Sequence, residues 1–171
     1  MKNKIFLLLF LFILPVAFGG EVERKITAKE LASELPEINS VECKFKQEKQ
    51  LKNLQKPIVS SGNFKFIKDE GVCFETLSPV KSTVSYTNKE YKQINDIILA
   101  VSNKKYSKID REFDFFYSSD NGHWKLRLEP KQGAKTEKYI EFILVEGSKQ
   151  IEKTVIATKD GNKTTQWFLT E

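Results

Sequence analysis

VECKFKQEKQ, Val41–Gln50, decides the fold: Val41, Cys43 and Phe45 fall on one side, Glu42, Lys44, Lys46 and Glu48 on the other. An apolar period of two with a charged opposite side is the pattern of a β-strand with one buried and one wet face. The alternation returns in Phe64 and Phe66 against Asn63, Lys65 and Ile67. After an Asp69-Glu70-Gly71 turn it returns in Val72, Phe74 and Thr76 against Cys73, Glu75 and Leu77, stops at Pro79, and resumes from Val80 to Thr87. Four strands on short turns read as an antiparallel meander.

On the N-terminal side of this meander the period is 3.6. Thr27 and Glu30 have the spacing of a capping box, Ile26 can staple onto Leu31, and Ala28, Leu31, Ala32 and Leu35 share a stripe. A helix over 27–35 follows, with Ile38 extending the stripe beyond Pro36. On the C-terminal side, Ile94, Ile97, Ile98 and Val101 predict a second, unusually apolar helix over 94–106. Strands are then expected at 113–117, 123–128, 139–145, 151–158 and 163–169, on the turns Asn121-Gly122, Glu146-Gly147 and Asp160-Gly161-Asn162. About nine strands and two helices in sequential hairpin order give an α+β chain built on one strongly curved sheet.

The first residues stand apart. Lys2 and Lys4 precede the unbroken apolar stretch Ile5–Leu14, Pro15 breaks it, and Ala17-Phe18-Gly19 places small residues at a cleavage site. That is the pattern of a secretory signal peptide over 1–19, too short for a membrane anchor and pointing to an exported protein. One domain over 20–171 remains. Without residues 1–19 the hydrophobic fraction falls from 40 % to about 36 %, and the loss of Lys2 and Lys4 turns a net charge of +5 into +3. So small an excess, spread along strands, gives no argument for nucleic acid.

Cys43 and Cys73 in an exported chain suggest a disulfide, yet strand parity puts Cys43 on the side of Phe45 and Cys73 opposite Phe74. No catalytic or metal site is assembled: His123, the one histidine, sits beside a hairpin turn, and it cannot make a four-ligand zinc site with two cysteines on opposite faces. No nucleophile elbow or phosphate-cradling loop occurs, so neither an enzyme nor a cofactor is expected. The informative feature is the apolar face itself, which Phe45, Phe64, Phe66, Phe74, Val84, Leu126 and Leu128 line. Two short helices give little cover for so many strands, and pattern alone leaves open whether the space beneath is a cavity or a dry core.

NSVECKFKQEK with Phe45-x-Gln47, then SSGNFKF, GVCFETLSP, WKLRLEPK and TKDGNKTTQWF, succeed one another over about residues 27–169 behind the signal peptide. In this order they resemble the LolA family of periplasmic lipoprotein carriers, in its shorter, divergent branch. The resemblance implies an unclosed β-barrel with the helices at 27–35 and 94–105 as a lid on the concave face. It implies acyl chains bound by Phe45, Phe64, Phe66, Phe74, Val84, Ile97, Ile98, Leu126 and Leu128. It implies a monomer that takes lipidated protein or lipid cargo from an inner-membrane ABC transporter or exporter and delivers it to an outer-membrane acceptor. Where that family carries Arg-Pro between its second and third strands, this chain has KFIKDEGVCF, with Lys68 nearest and no Pro. The third strand carries Phe74 in place of Trp, and the chain stops soon after TTQWF, short of the longer relatives' C-terminal extension. A shuttle for glycolipid or other lipid, and a non-catalytic exported protein-binding domain, are the alternatives.

Overall fold

The computed structural model describes residues 22–86, 97 and 99–170. The expected signal peptide, the expected start of the second helix and Ile98 lie outside the described residues.

Ten strands form one antiparallel sheet: β1 (Arg24–Ile26), β2 (Ser40–Gln50), β3 (Ile58–Ile67), β4 (Gly71–Ser78), β5 (Ser82–Tyr86), β6 (Phe113–Asp120), β7 (His123–Pro130), β8 (Ile140–Gly147), β9 (Ile151–Thr158) and β10 (Lys163–Leu169). The spatial order is β1-β6-β7-β8-β9-β10-β2-β3-β4-β5. β1 and β5 are the two edges and do not pair, so the sheet is unclosed. This corrects the sequential order read from the sequence. Each meander is sequential within itself, but β10 docks on β2, with Phe168 opposite Phe45, and joins the two into one sheet. The stretch between β5 and β6 therefore crosses from one side of the sheet to the other.

The sheet curls hard. Adjacent strands lie about 4.8 Å apart, so side chains two strands apart on a flat sheet are separated by about 10 Å. Yet the rings of Phe64 on β3 and Phe168 on β10 have centroids 4.6 Å apart, and those of Phe45 on β2 and Phe74 on β4 are 5.2 Å apart, edge to face. Gly62 lies between Phe45 and Thr76 in the register and leaves room for the second contact. A Cβ there would stand 1.9 Å from the Glu75 carbonyl oxygen, where the pairing also slips register. The outer face is laced with charge: Lys153 meets Glu146 at 2.8 Å, and Arg127 meets Glu23 at 2.6 Å while lying over the Phe116 ring.

Two helices sit on the inner face. α1 (Ala28–Glu34) starts where its capping box requires: the Glu30 amide donates to Thr27 Oγ1 at 3.2 Å and the Thr27 amide donates to Glu30 Oε2 at 2.8 Å. Leu31 and Leu35 are buried beneath it. The second helix, α2, is helical at 97 and 99–102 and ends before the expected 106. Lys104 takes a left-handed backbone (φ 52), its amide reaches Val101 O and the Lys105 amide reaches Ala100 O at 2.9 Å, which is a Schellman termination. Tyr106–Lys108 then makes a separate 3-10 turn.

Three turns follow the reading and one falls a residue later. Asn121 and Gly122 both have positive φ, as a two-residue hairpin turn needs, Asp69 and Gly71 likewise turn β3 into β4, and Asp160-Gly161-Asn162 turns β9 into β10. Gly147, expected in a turn, ends β8, and the turn follows over 148–150. A Cβ on Gly147 would sit 2.1 Å from Gln150 O across that turn and 2.6 Å from the Trp124 indole opposite it, so glycine here serves close approach on both sides. β5 begins at Ser82, two residues after the expected Val80, which is exposed. The tenth strand, β1, was not expected.

Candidate functional site

The inner face of the curled sheet and the two helices enclose one apolar interior. Phe45, Phe64, Phe66, Phe74, Ile97, Leu126 and Leu128 are all buried in a single core cluster, as the inward positions of alternating strands require. Phe66, Leu126 and Leu128 are at most 1 % exposed. Val84 is only half-buried, because β5 is an edge strand with a partner on one side alone.

The structure divides the expected residues into two groups. Phe64 and Phe66 border a void of about 10 Å³, walled also by Ile38, Val41, Ser102, Ile151 and Phe168. The Phe45 and Phe74 rings pack beside it through Phe64, whose centroid is 4.9 Å from that of Phe74. Leu126 and Leu128 lie farther along the interior, on β7. The residues that sequence reasoning missed are those of the void wall. Val41 and Phe168 share the inward parity of their strands and carried a usable signal; Ile38, Ser102 and Ile151 are brought in by tertiary packing alone. A void of that size admits about one water, whereas small-molecule pockets run to roughly 300–1,000 Å³. A wider hollow of about 550 Å³ opens where Cys43, Phe64 and Leu169 supply apolar wall among the charged side chains of Glu42, Lys44, Lys65 and Glu75.

The helices are tied to the sheet at one corner, the turn between β3 and β4. Lys68 pairs with Glu37 beyond α1, and its amide donates to Asn39 O at 2.8 Å. Asp69 accepts from Lys105 Nζ, just beyond α2, at 2.9 Å. Lys104 Nζ donates to Ala32 O at 3.0 Å and joins the two helices directly. The Lys68 hydrogen bond and charge hold the Glu37 carboxyl below its ordinary range, and Lys105 does the same for Asp69. Lys68 is in turn pushed up by Glu37. Tyr106, buried beneath this corner, has its phenol pushed up by desolvation.

Cys43 faces the core and Cys73 faces outward opposite Lys65, where Ser85 Oγ donates to its sulfur at 3.4 Å. Burial pushes the Cys43 thiol up, partly offset by the Leu169 amide. His123 is exposed, its Nδ1 3.8 Å from a Glu152 oxygen. Among the described residues no three His, Cys, Asp or Glu side chains converge as a metal would require. The sheet face and the helices thus enclose an apolar interior, with Cys43 packed against it. Compared with protein-family models and with curated proteins, the chain matches none.

Proposed function

We propose that the chain is a periplasmic carrier that holds the acyl chains of a lipidated protein between the concave sheet face and the two helices. It receives this cargo from an inner-membrane ABC transporter and yields it to an outer-membrane acceptor, without a catalytic step. The observation that favours this reading is the unclosed sheet, whose apolar inner face is roofed by α1, seven residues long, and the short α2. The void of about 10 Å³ means that loading moves the helices off the sheet. Uncovering Leu31, Leu35, Ile97 and Val101 costs about 6–12 kcal/mol in all. Ten methylenes taking their place return roughly 8 kcal/mol. The exchange is close to balanced, as a carrier that must also release requires.

The test is native mass spectrometry of the protein purified from a cell that makes lipoproteins, beside Phe64→Ala. Bound lipidated protein on the parent, and loss of it on a folded Phe64→Ala, fit the reading; empty protein under conditions that load a known carrier overturns it. A free glycolipid or lipid adduct would assign the same site to a lipid shuttle. The small void favours a second reading, an exported protein-binding domain with a dry core. Such a protein stays empty in the same measurement and retains a protein partner after Phe64→Ala.

A further inference from the structure

The β2–β3 hairpin projects beyond β4. β10 accompanies β2 to its last residue, Gln50, but on the other side β4 pairs with β3 only as far as Ser61. Ile58 and Val59 are therefore left without cover on adjacent positions that point to opposite faces, 48 % and 44 % exposed. Leu54 at the hairpin tip is 44 % exposed. Ser61 faces Ser78, so Leu77 and Val80 lie at the same end of the sheet, 46 % and 72 % exposed. Five of the large exposed hydrophobic residues thus gather at one end, around two adjacent turns.

The charge around them is mostly positive. Residues 49–68 and 76–89 contain no Asp or Glu, while Lys49, Lys52, Lys56 and Lys81 are exposed in these turns. None of these four lysines pairs with a carboxylate among the described residues. Two acids come close: Glu48, opposite Val59 in the register and paired with Lys46 at 2.7 Å, and Asp160 in the β9–β10 turn, where the Lys52 amide meets Asn162. The Asp160 carboxylate accepts from Thr158 Oγ1 at 2.5 Å and Asn162 Nδ2 at 2.6 Å, and Lys159 and Lys163 flank it.

We infer that this end of the molecule docks on an anionic phospholipid surface, with Leu54, Ile58 and Val80 entering the interface and the lysines meeting the headgroups. Aliphatic side chains interspersed with unpaired lysines suit a bilayer, which offers apolar depth beneath negative charge. The inference stands on the surface alone and holds whatever the interior carries.

The experiment is co-sedimentation of the full chain with vesicles of phosphatidylglycerol and phosphatidylethanolamine, beside vesicles of phosphatidylcholine. Because Ile5–Leu14 is itself apolar, the readout is the difference between the parent and tip variants of the same chain. Replacing Lys49, Lys56 and Lys81 together by Gln should weaken binding to the anionic vesicles about a hundredfold, roughly fivefold per lysine. Leu54→Asp with Val80→Asp should weaken it about tenfold or more. Lys149→Glu, exposed in the β8–β9 turn at the opposite end, should leave it within about twofold. All substituted positions are exposed, and unchanged circular dichroism shows that the fold is kept. Tip variants that bind anionic vesicles as the parent does overturn the inference. So does a parent that ignores vesicles but is retained by an acidic protein, which would make this end a protein-docking surface.

Discussion

Gly62→Ala tests the curl of the sheet at the point where it is tightest. Gly62 has no left-handed backbone to protect, so alanine is not excluded by φ. It is excluded by β4: the new Cβ would lie 1.9 Å from Glu75 O and 2.9 Å from Thr76 Cα, against a floor of 3.0 Å for real Cβ contacts. β4 must therefore move away by more than an ångström at the residue beside Phe74. Overpacking of this kind costs about 1–3 kcal/mol, and weakening one or two ladder hydrogen bonds adds about 1 kcal/mol each. The total, about 2–5 kcal/mol, corresponds to a Tm lower by about 4–20 °C for a chain of this length. Gly133→Ala is the matched comparison. Gly133 has φ +81 with nothing within 4 Å of the added carbon, so only the left-handed backbone is penalised. That cost is about 1 kcal/mol, or 2–4 °C. Thermal unfolding followed by circular dichroism compares the two directly. If Gly62→Ala loses no more than Gly133→Ala, the close approach of β3 and β4 is not what allows Phe45 to reach Phe74, and the account of the curl fails.

Thr27→Ala removes the hydroxyl that accepts from the Glu30 amide and should lower Tm by about 1–8 °C, the effect of about 0.5–2 kcal/mol in a chain of this length. A Tm equal to that of the parent would mean that α1 is held by its buried face alone. Glu30, Glu37, Asp69 and Asp160 all have carboxyls held below their ordinary values, by the Thr27 backbone, Lys68, Lys105 and Thr158 respectively. Their contribution is complete above the unfolded values of 4.5 for Glu and 3.8 for Asp and is lost as pH falls through the lower folded values, so stability should decline on acidification below about pH 4. A Tm that rises between pH 5 and pH 3 would contradict that sign. Val101→Ala should destabilise by about 1.5–3 kcal/mol, whereas Lys68→Ala should leave Tm almost unchanged; the reverse order would place the hold on the helices in the ion pairs.

What was legible in the sequence is what local chemistry dictates. Thr27 and Glu30 set the start of α1 within four residues of chain, and β9 and β10 run over the predicted spans because Asp160-Gly161-Asn162 fixes the turn between them. The inward set Phe45, Phe64, Phe66, Phe74, Leu126 and Leu128 follows from the period of two, which the pleat enforces wherever one face is buried. Three things were hidden because they depend on distant partners. β1 has three residues with one buried, too few for a period, and exists by pairing with β6. The docking of β10 on β2 joins residues more than a hundred positions apart, and no turn announces it. Gly147 reads as a turn glycine, and only the pairing of β7 with β8 adds the Trp124 indole that lies against it.

The same non-local pairing explains why the interior has a roof. Were β6 to follow β5 in the sheet, a short turn would join them and the concave face would depend on α1 alone. Because β10 takes the place beside β2, β6 lies next to the far edge strand β1, and the chain between β5 and β6 makes the return from one edge of the sheet toward the other. α2 sits on that return, with Ile97, Ala100 and Val101 buried against the sheet. Its end is tied to α1 by Lys104 and to the β3–β4 turn by Lys105 and Asp69. These ties are single bonds, the Lys104 one half-buried and the Lys105–Asp69 pair solvent-exposed, and each adds about 1 kcal/mol or less. The apolar contacts beneath the helices are several times stronger and are of the kind that an acyl chain can replace. In the proposed carrier, a roof held mainly by such contacts would open at the cost of side-chain burial, about 6–12 kcal/mol for Leu31, Leu35, Ile97 and Val101, against the roughly 8 kcal/mol that ten buried methylenes return.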